Sequence, residues 1–472
     1  MDILVDIVTY ILGFGAAVFV PLIMLIVGLC VKMKFSDAFI AALTLGVAFT
    51  GMNVIINFMT GAITPAAQGL AEATGIQLTT VDIGWPALSA ISWAWVIGIL
   101  VFPLQIGINI LMLVTKTTDT MNVDLWNVWN KIFTAAVVSY ICQAAGQPYA
   151  QALAFGFIAA AIEVVIELKI GDVFAPTVEK ITGIPGVTVP HPMAITAAIM
   201  YPIELLLEKI PALEQNALDA KWLRSKIGIF GENSVMGFII GIILGAVAYK
   251  DVQKALTLGI EAGTAMQLFP MVSKLFMQAL SPISDAVGAF MKKRFEGREV
   301  HIGLDWPIVA GSNELWVFMI LMIPVELIYA IVLAPAGNTV LPFAGIINLC
   351  LGVSVLFIAN GNLVKMLILG LIYEPIYLFV SSSFAPFVTE MARQYSPASL
   401  KGIDAGALIS HSSLETPELR WGLAQAFTGN VWGFVVLAIV AVGLFFLFKG
   451  YKKKNDEINR ELHAERFQTA AE

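Results

Sequence analysis

The chain has 472 residues, 58% of them hydrophobic and only 13% charged, against roughly 25% charged in ordinary soluble domains. A mean hydropathy of +0.84, with apolar runs of about twenty residues recurring along the chain, excludes a soluble enzyme and makes the lipid bilayer much of the solvent. The formal charge of −7, without a basic stripe carrying interleaved aromatics, gives no sign of a nucleic-acid partner.

The first apolar run, Ile7 to Val31, has no basic stretch before it and no well-placed cleavage site, so it reads as a retained span rather than a signal peptide. Further spans are predicted at 36–62, 86–115, 132–148 and 150–168, then at 228–249, 255–276, 308–334, 346–360 and 363–383, with an eleventh at 431–449. The stretch 209–227 is too polar to cross. Its Leu213, Leu218, Trp222 and Leu223, set among Lys221, Arg224 and Lys226, fit an amphipathic helix on the inner surface. Cys30, Cys142 and Cys350 sit in apolar runs without CxxC or His spacing, so they read as packing residues, and no metal set or cofactor is expected.

The two halves of the chain echo each other. Ala42-Leu-Thr-Leu-Gly46 recurs as Ala255-Leu-Thr-Leu-Gly259, a shift of 213. Trp85-Pro86 recurs as Trp306-Pro307 at 221, with Pro103 and Pro324 at the same shift. Phe174-Ala-Pro176 recurs as Phe384-Ala-Pro386 at 210, and Gly186 with His191 matches Gly406 with His411 at 220. No Lys or Arg lies between Ala66 and Gly84, whereas the matching stretch of the second half carries Lys292, Lys293, Arg294 and Arg298. Lys116 and Lys131 bracket a first-half loop, while Pro335 to Gly345 has none. Opposite charge bias implies opposite orientation, hence two inverted repeats of five spans each. The expected architecture is an all-α polytopic membrane protein of about 11 transmembrane helices with broken or re-entrant segments. It divides into a first repeat (1–208), a connector (209–227), a second repeat (228–430), a final helix (431–449) and a cytoplasmic tail (450–472). The basic tail Lys449, Lys452, Lys453, Lys454 places the C-terminus in the cytoplasm and the N-terminus outside. Lys250, Lys254, Arg393, Lys401 and Arg420 then fall on the outer side, against the rule.

Polar groups at membrane depth are costly unless paired or facing a cavity, so they are the functional candidates. They cluster where Gly and Pro interrupt helices: Asp82-Ile-Gly-Trp-Pro86, Gln143-Ala-Ala-Gly-Gln-Pro148, Pro190-His-Pro192, Gly231-Glu-Asn233, Gly303-Leu-Asp-Trp-Pro307, Asn360-Gly-Asn362 and Ser410-His411. Gln143, Gln147, His191, Glu232, Asp305 and Asn360 offer donors and acceptors, and Trp85 and Trp306 an aromatic face. That set suits a neutral polyhydroxylated ligand, since no Arg or Lys lies in these segments to meet an anion. Each has a structural alternative: His191 and His411 as scaffold, Asp305 bonding its own turn, Glu232 as an N-cap charge, the tryptophans as interfacial belts.

Several of these stretches are long enough to be compared as motifs. Val81-Asp-Ile-Gly-Trp-Pro86, Met121-Asn-Val-Asp-Leu-Trp-Asn-Val-Trp129, Val189-Pro-His191, Phe230-Gly-Glu232, Ile302-Gly-Leu-Asp305, Asn338-Thr-Val-Leu-Pro-Phe343 and Gly361-Asn-Leu363 resemble the membrane component, IIC, of the galactitol family of the bacterial phosphoenolpyruvate-dependent phosphotransferase system. The resemblance runs over almost the whole chain. It implies a multi-pass inner-membrane carrier that takes up a polyol and presents it to a cytoplasmic IIB protein bearing a phosphocysteine, itself supplied by IIA. Both partners are expected as separate chains, and the carrier has no phosphorylation site of its own. The related ascorbate proteins imply a homodimer with a core domain sliding against a dimerisation domain. His191, Gln143 and Asp305 fall where that wider group contacts substrate. Separately, in-line attack of a sugar hydroxyl on phosphocysteine needs that hydroxyl held in place, and His191 or Asp305 is the expected acceptor of its proton. The loop from Lys116 to Lys131, with Asp124 and Trp126, and that from Lys292 to Arg298 are the expected docking surfaces. The rival reading is an ion-coupled transporter of a neutral polyhydroxylated solute, for which Glu163 and Glu167 are the best feature. An intramembrane enzyme lacks any HExxH, GxSxG or workable carboxylate pair.

Overall fold

The structure, a computed structural model, describes residues 16–469 except 77, 125, 216–217, 219, 295–299, 310–311, 345–349, 401–405 and 407. Parts of the expected spans 7–31, 308–334 and 346–360, part of the loop after Lys292, and Lys401 lie outside the described residues.

In chain order the helices are α1 Ala16–Cys30, α2 Phe35–Thr74, α3 Gly84–Ala94, α4 Val101–Val114, α5 Val128–Ala144, α6 Tyr149–Thr182, α7 Ala197–Leu207, α8 Pro211–Glu214 and α9 Ala220–Ile227. There follow α10 Asn233–Tyr249, α11 Val252–Arg294, α12 Asn313–Val332, α13 Leu351–Ile358, α14 Leu363–Tyr395, α15 Pro417–Phe427 and α16 Val431–Thr469. Local chemistry sets their ends. Asn362 caps α14 by accepting the N–H of Lys365 (3.2 Å), and Gly183 ends α6 in the left-handed region (φ 68°), its N–H returning to Glu179 O.

Five helical stretches among the described residues are long and apolar enough to cross a membrane: Phe35–Ile63, Val96–Val114, Asn313–Val332, Leu363–Tyr395 and Val431–Arg460. Ala220–Phe230 with Ser234–Tyr249, bent by 61°, makes a sixth if taken as one span. The protein is therefore helical and multi-spanning, but the eleven expected crossings are not matched one for one. The physical reason is visible in α5 and α6, expected as spans 132–148 and 150–168. Lys131, Glu163 and Glu167 are buried in them and paired inside the protein, so these helices are protein-lined rather than uniformly apolar. The final helix does not stop at 449: α16 runs on through Tyr451, which is fully buried against Phe174 and donates its hydroxyl to Phe357 O (2.8 Å).

Helices α1, α2, α10 and α11 pack on one another as a group. Small residues bring α10 and α11 together: a Cβ at Gly241 would come within 2.7 Å of Leu258 O, and one at Gly237 equally close to Ala262 O.

The remaining helices surround two small parallel sheets. One has the order β5-β1-β6, from Val340–Leu341, Thr80–Asp82 and Leu408–Ser410; the other has the order β2-β4-β3, from Thr120–Asn122, His301–Gly303 and Val187–Thr188. Each middle strand comes from one half of the chain and both its neighbours from the other. The registers are Thr80↔Leu408 and Thr80↔Val340 in one sheet, Thr120↔His301 and Val187↔Ile302 in the other. The halves are thus interlocked through backbone hydrogen bonds rather than merely apposed.

Candidate substrate site

Because β2, β3 and β4 are parallel, their carboxyl ends share one edge, and the residues just beyond them converge there. Asp124 follows β2, His191 follows β3 and Asp305 follows β4, and the ligand atoms of the three lie within 4.8 Å of one another. Asn109 fixes the first of these turns. It accepts the Asn122 N–H (2.9 Å) and donates to Thr120 O (2.8 Å), while Asn122 accepts the N–H of Asp124 (2.9 Å). The Asp124 carboxylate accepts the Asn127 N–H at 3.2 Å and its side-chain amide at 2.6 Å. Asp305 Oδ1 accepts the N–H of Trp306 (2.7 Å).

The ring of His191 is oriented by a backbone donor. Its Nδ1 accepts the Met193 N–H at 3.2 Å, and Nε2 stands 3.7 Å from Asp305 Oδ1 with no hydrogen-bond partner. An Nδ1 that accepts leaves the proton of a neutral ring on Nε2, which is then a donor pointing at Asp305. Burial, and after it the charges of Lys131 and Arg420, hold His191 well below the ordinary histidine value, so the ring is neutral. Burial, and after it the Asp124 carboxylate, push Asp305 up; since 23% of its side chain remains accessible, this acid is the open member of the cluster.

Two buried cations, paired with three glutamates, brace the site. Lys131 Nζ meets Glu167 at 2.8 Å, and Arg420 meets Glu163 at 2.9 Å and Glu415 at 3.3 Å. Arg420 also donates to Thr134 Oγ1 (2.8 Å) and Asn130 Oδ1 (2.9 Å), tying α15 to α5 and α6. Both cations correct the sequence reading. Lys131 is not at a loop and Arg420 is not on an outer surface; they are 1% and 0% exposed, and buried cations do stand near the candidate residues, each neutralised by a glutamate. The same burial corrects the first docking surface, since Asp124 and Trp126 are 8% and 6% exposed. Asp124 therefore joins the candidate cluster, whereas the sequence reading assigned it to a docking loop.

The other expected residues divide clearly. Trp85 packs edge-on against Trp126 (6.4 Å between centroids), next to the Asp124 turn, and Trp306 begins the helical turn after Asp305. Gln143 lies in the last turn of α5 and Gln147 just past its end; Gln143 is about 18 Å along the helix from Lys131 at about 1.5 Å per residue. Their amides donate to Ser139 O (3.2 Å) and Phe427 O (2.6 Å). Glu232 is exposed at the N-cap of α10 without a capping bond, and Asn360, in the left-handed region (φ 49°), lines a polar cavity of about 610 Å³ with Glu208, Lys365 and Lys454. His411 belongs to the other sheet, 3.4 Å from Asp82. Asp124, His191 and Asp305 also have the spacing of a metal-ligand set, which the sequence reading did not anticipate.

A family profile described as the sugar-specific permease component of the PTS system matches residues 10–399. The chain belongs to this permease family. It is 31% identical to the PTS system galactitol-specific EIIC component of Escherichia coli K12 over 451 residues, 94% of this chain and 96% of the relative. It is 32% identical to a putative permease IIC component of the same organism over 449 residues, 93% and 98% of the two chains. The permease is accordingly a multi-pass inner-membrane protein of a sugar phosphotransferase system.

Proposed function

We propose that this permease takes up a sugar alcohol of the galactitol type and hands it to a phosphocysteine-bearing IIB protein, which phosphorylates it. The observation that carries the substrate class is the Asp124, His191 and Asp305 cluster: acceptors and one oriented donor, with the neighbouring cations already neutralised. Such a set matches hydroxyl groups and gives an anion no unpaired partner. The name of one relative, a galactitol-specific EIIC component, supports the same class.

In the chemistry at the inner face, a substrate hydroxyl donates to Asp305 and accepts from His191 Nε2. Asp305 then takes the hydroxyl proton as that oxygen attacks the phosphorus of the IIB phosphocysteine and the cysteine thiolate leaves. The hydrogen bonding around His191 favours Asp305 over His191 as the base. A hexitol and pentitol panel tested for binding to the purified permease, followed by phosphate transfer on adding phosphorylated IIB, tests the proposal. Transport of unmodified solute driven by a sodium or proton gradient would reject it. The feature that favoured that rival, Glu163 with Glu167, is spoken for by Arg420 and Lys131.

The inverted-repeat reading, with the N-terminus outside and the C-terminus inside, is part of the proposal. The exchange of strands between halves supports it, since His301 follows Thr80 by 221 residues and each takes the middle of its sheet. So is a homodimer moving by an elevator motion, supported by the packing of α1, α2, α10 and α11 on one another as a group, two helices from each half.

A further inference from the structure

The sheet β5-β1-β6 has a polar cluster of its own, away from the substrate site. Asp82 at the end of β1 is well satisfied. Its Oδ1 accepts the N–H groups of Gly84 (2.9 Å) and Ser412 (3.1 Å), its Oδ2 that of Phe343 (2.9 Å), and His411 Nδ1 lies 3.4 Å from Oδ1. Two helices bring further acids to this edge, Glu326 from α12 and Glu374 from α14, each 0% exposed. All four of their carboxyl oxygens lack a hydrogen-bond partner, as do Ser412 Oγ and His411 Nε2, both also fully buried. Tyr329, one turn after Glu326, donates its hydroxyl to Leu371 O (2.9 Å), one turn before Glu374, and Ser381, two turns after Glu374, donates to Ser412 O (3.1 Å), so both helices are packed together at this edge, with Tyr377 one turn beyond Glu374. Among the described residues no lysine or arginine pairs with either glutamate. The contrast with Glu163 and Glu167, each given its own cation, is direct. At the shift that relates Trp85 to Trp306, the first-half counterpart of Glu326 is Gln105, a neutral amide of the same shape.

We propose that Glu326 and Glu374, with Ser412, form a buried proton-binding site in the second half, both carboxyls being held as neutral acids while that half is closed. An ionised carboxylate without a partner is costly in a low-dielectric interior, whereas a neutral acid both donates and accepts and carries no charge to be solvated. Opening this half to water releases the protons, so closure is coupled to proton uptake. Phosphoryl transfer still powers transport, because these protons are held and returned rather than carried across.

The test uses the full-length permease in lipid nanodiscs, as wild type, Glu326→Gln, Glu374→Gln and the double variant. Infrared spectra of the wild type should show the carbonyl band of a protonated carboxylic acid, diminished in each single variant and lost in the double. Two results would overturn the proposal: a wild type without a protonated-carboxyl band, or a melting temperature raised by sodium but not by choline, which would make this a metal-cation site. If the double variant does not fold, the wild-type spectrum and the single variants decide.

Discussion

His191 Nε2 and Asp305 Oδ1 stand 3.7 Å apart although 114 residues separate them, and the strands that deliver them pair directly, Val187 with Ile302 and Thr188 with Gly303. The gap is too long for a hydrogen bond and is of the size that one hydroxyl oxygen can bridge by accepting from one group and donating to the other. The candidate site thus exists only when the two halves are interlocked.

Replacing Asp305 with Asn keeps the shape and removes the base. Phosphate transfer from IIB should fall about 10²–10⁴-fold while polyol affinity changes far less. The pH profile gives a second readout. Asp305 is raised by burial and by Asp124, so it holds its proton to a higher pH than a free carboxyl, and the active carboxylate is lost as pH falls through that raised value. The wild-type rate should therefore drop on acidification above the ordinary carboxylate range. An unchanged profile in D305N would show that another group titrates.

His191→Gln retains a donor and His191→Leu does not. Binding measured by calorimetry should weaken about tenfold more in H191L than in H191Q, the worth of about one hydrogen bond. Equal losses would mean that the ring acts by shape alone.

Arg420→Met leaves Glu163 buried and unpaired, at a cost of about 3–5 kcal/mol. Thermal unfolding in detergent should show this, and the double variant R420M/E163Q should recover part of it. Full retention of stability in R420M would mean that the pair is not closed as described.

Gly303 lies where β4 passes closest to its neighbours. A Cβ there would stand 2.6 Å from Pro190 Cγ and 3.0 Å from Asn122 Cα, so Gly303→Ala must spread the sheet that sets the spacing of Asp124, His191 and Asp305. A strain of about 1–3 kcal/mol is expected, with polyol affinity falling in the membrane-inserted protein.

How much of this was legible in the sequence depended on the signal each feature leaves. Pro190-His-Pro192 and Gly303-Leu-Asp305 announce interrupted helices with a polar group at the break, so His191 and Asp305 are both legible as candidates, and the structure sets them side by side. Asp124 does not stand out, because a carboxylate between Lys116 and Lys131 looks like a hydrated loop. Nothing local records that Asn109, one helix earlier, folds that loop inward. Lys131 and Arg420 misled the reading of loops because charge counting treats every cation as unpaired, and their partners Glu167 and Glu163 are 36 and 257 residues away. The strands, two or three residues long and paired across the halves, are too short for any alternation to show.

The most direct test of the shared site is calorimetric titration of galactitol into the purified permease as wild type, Asp305→Ala and Gln143→Ala. Wild-type binding, at least about tenfold weakened in D305A and unchanged within about twofold in Q143A, is the predicted result. Binding that survives in D305A but is abolished in Q143A would place the polyol at the far end of α5 and contradict the account.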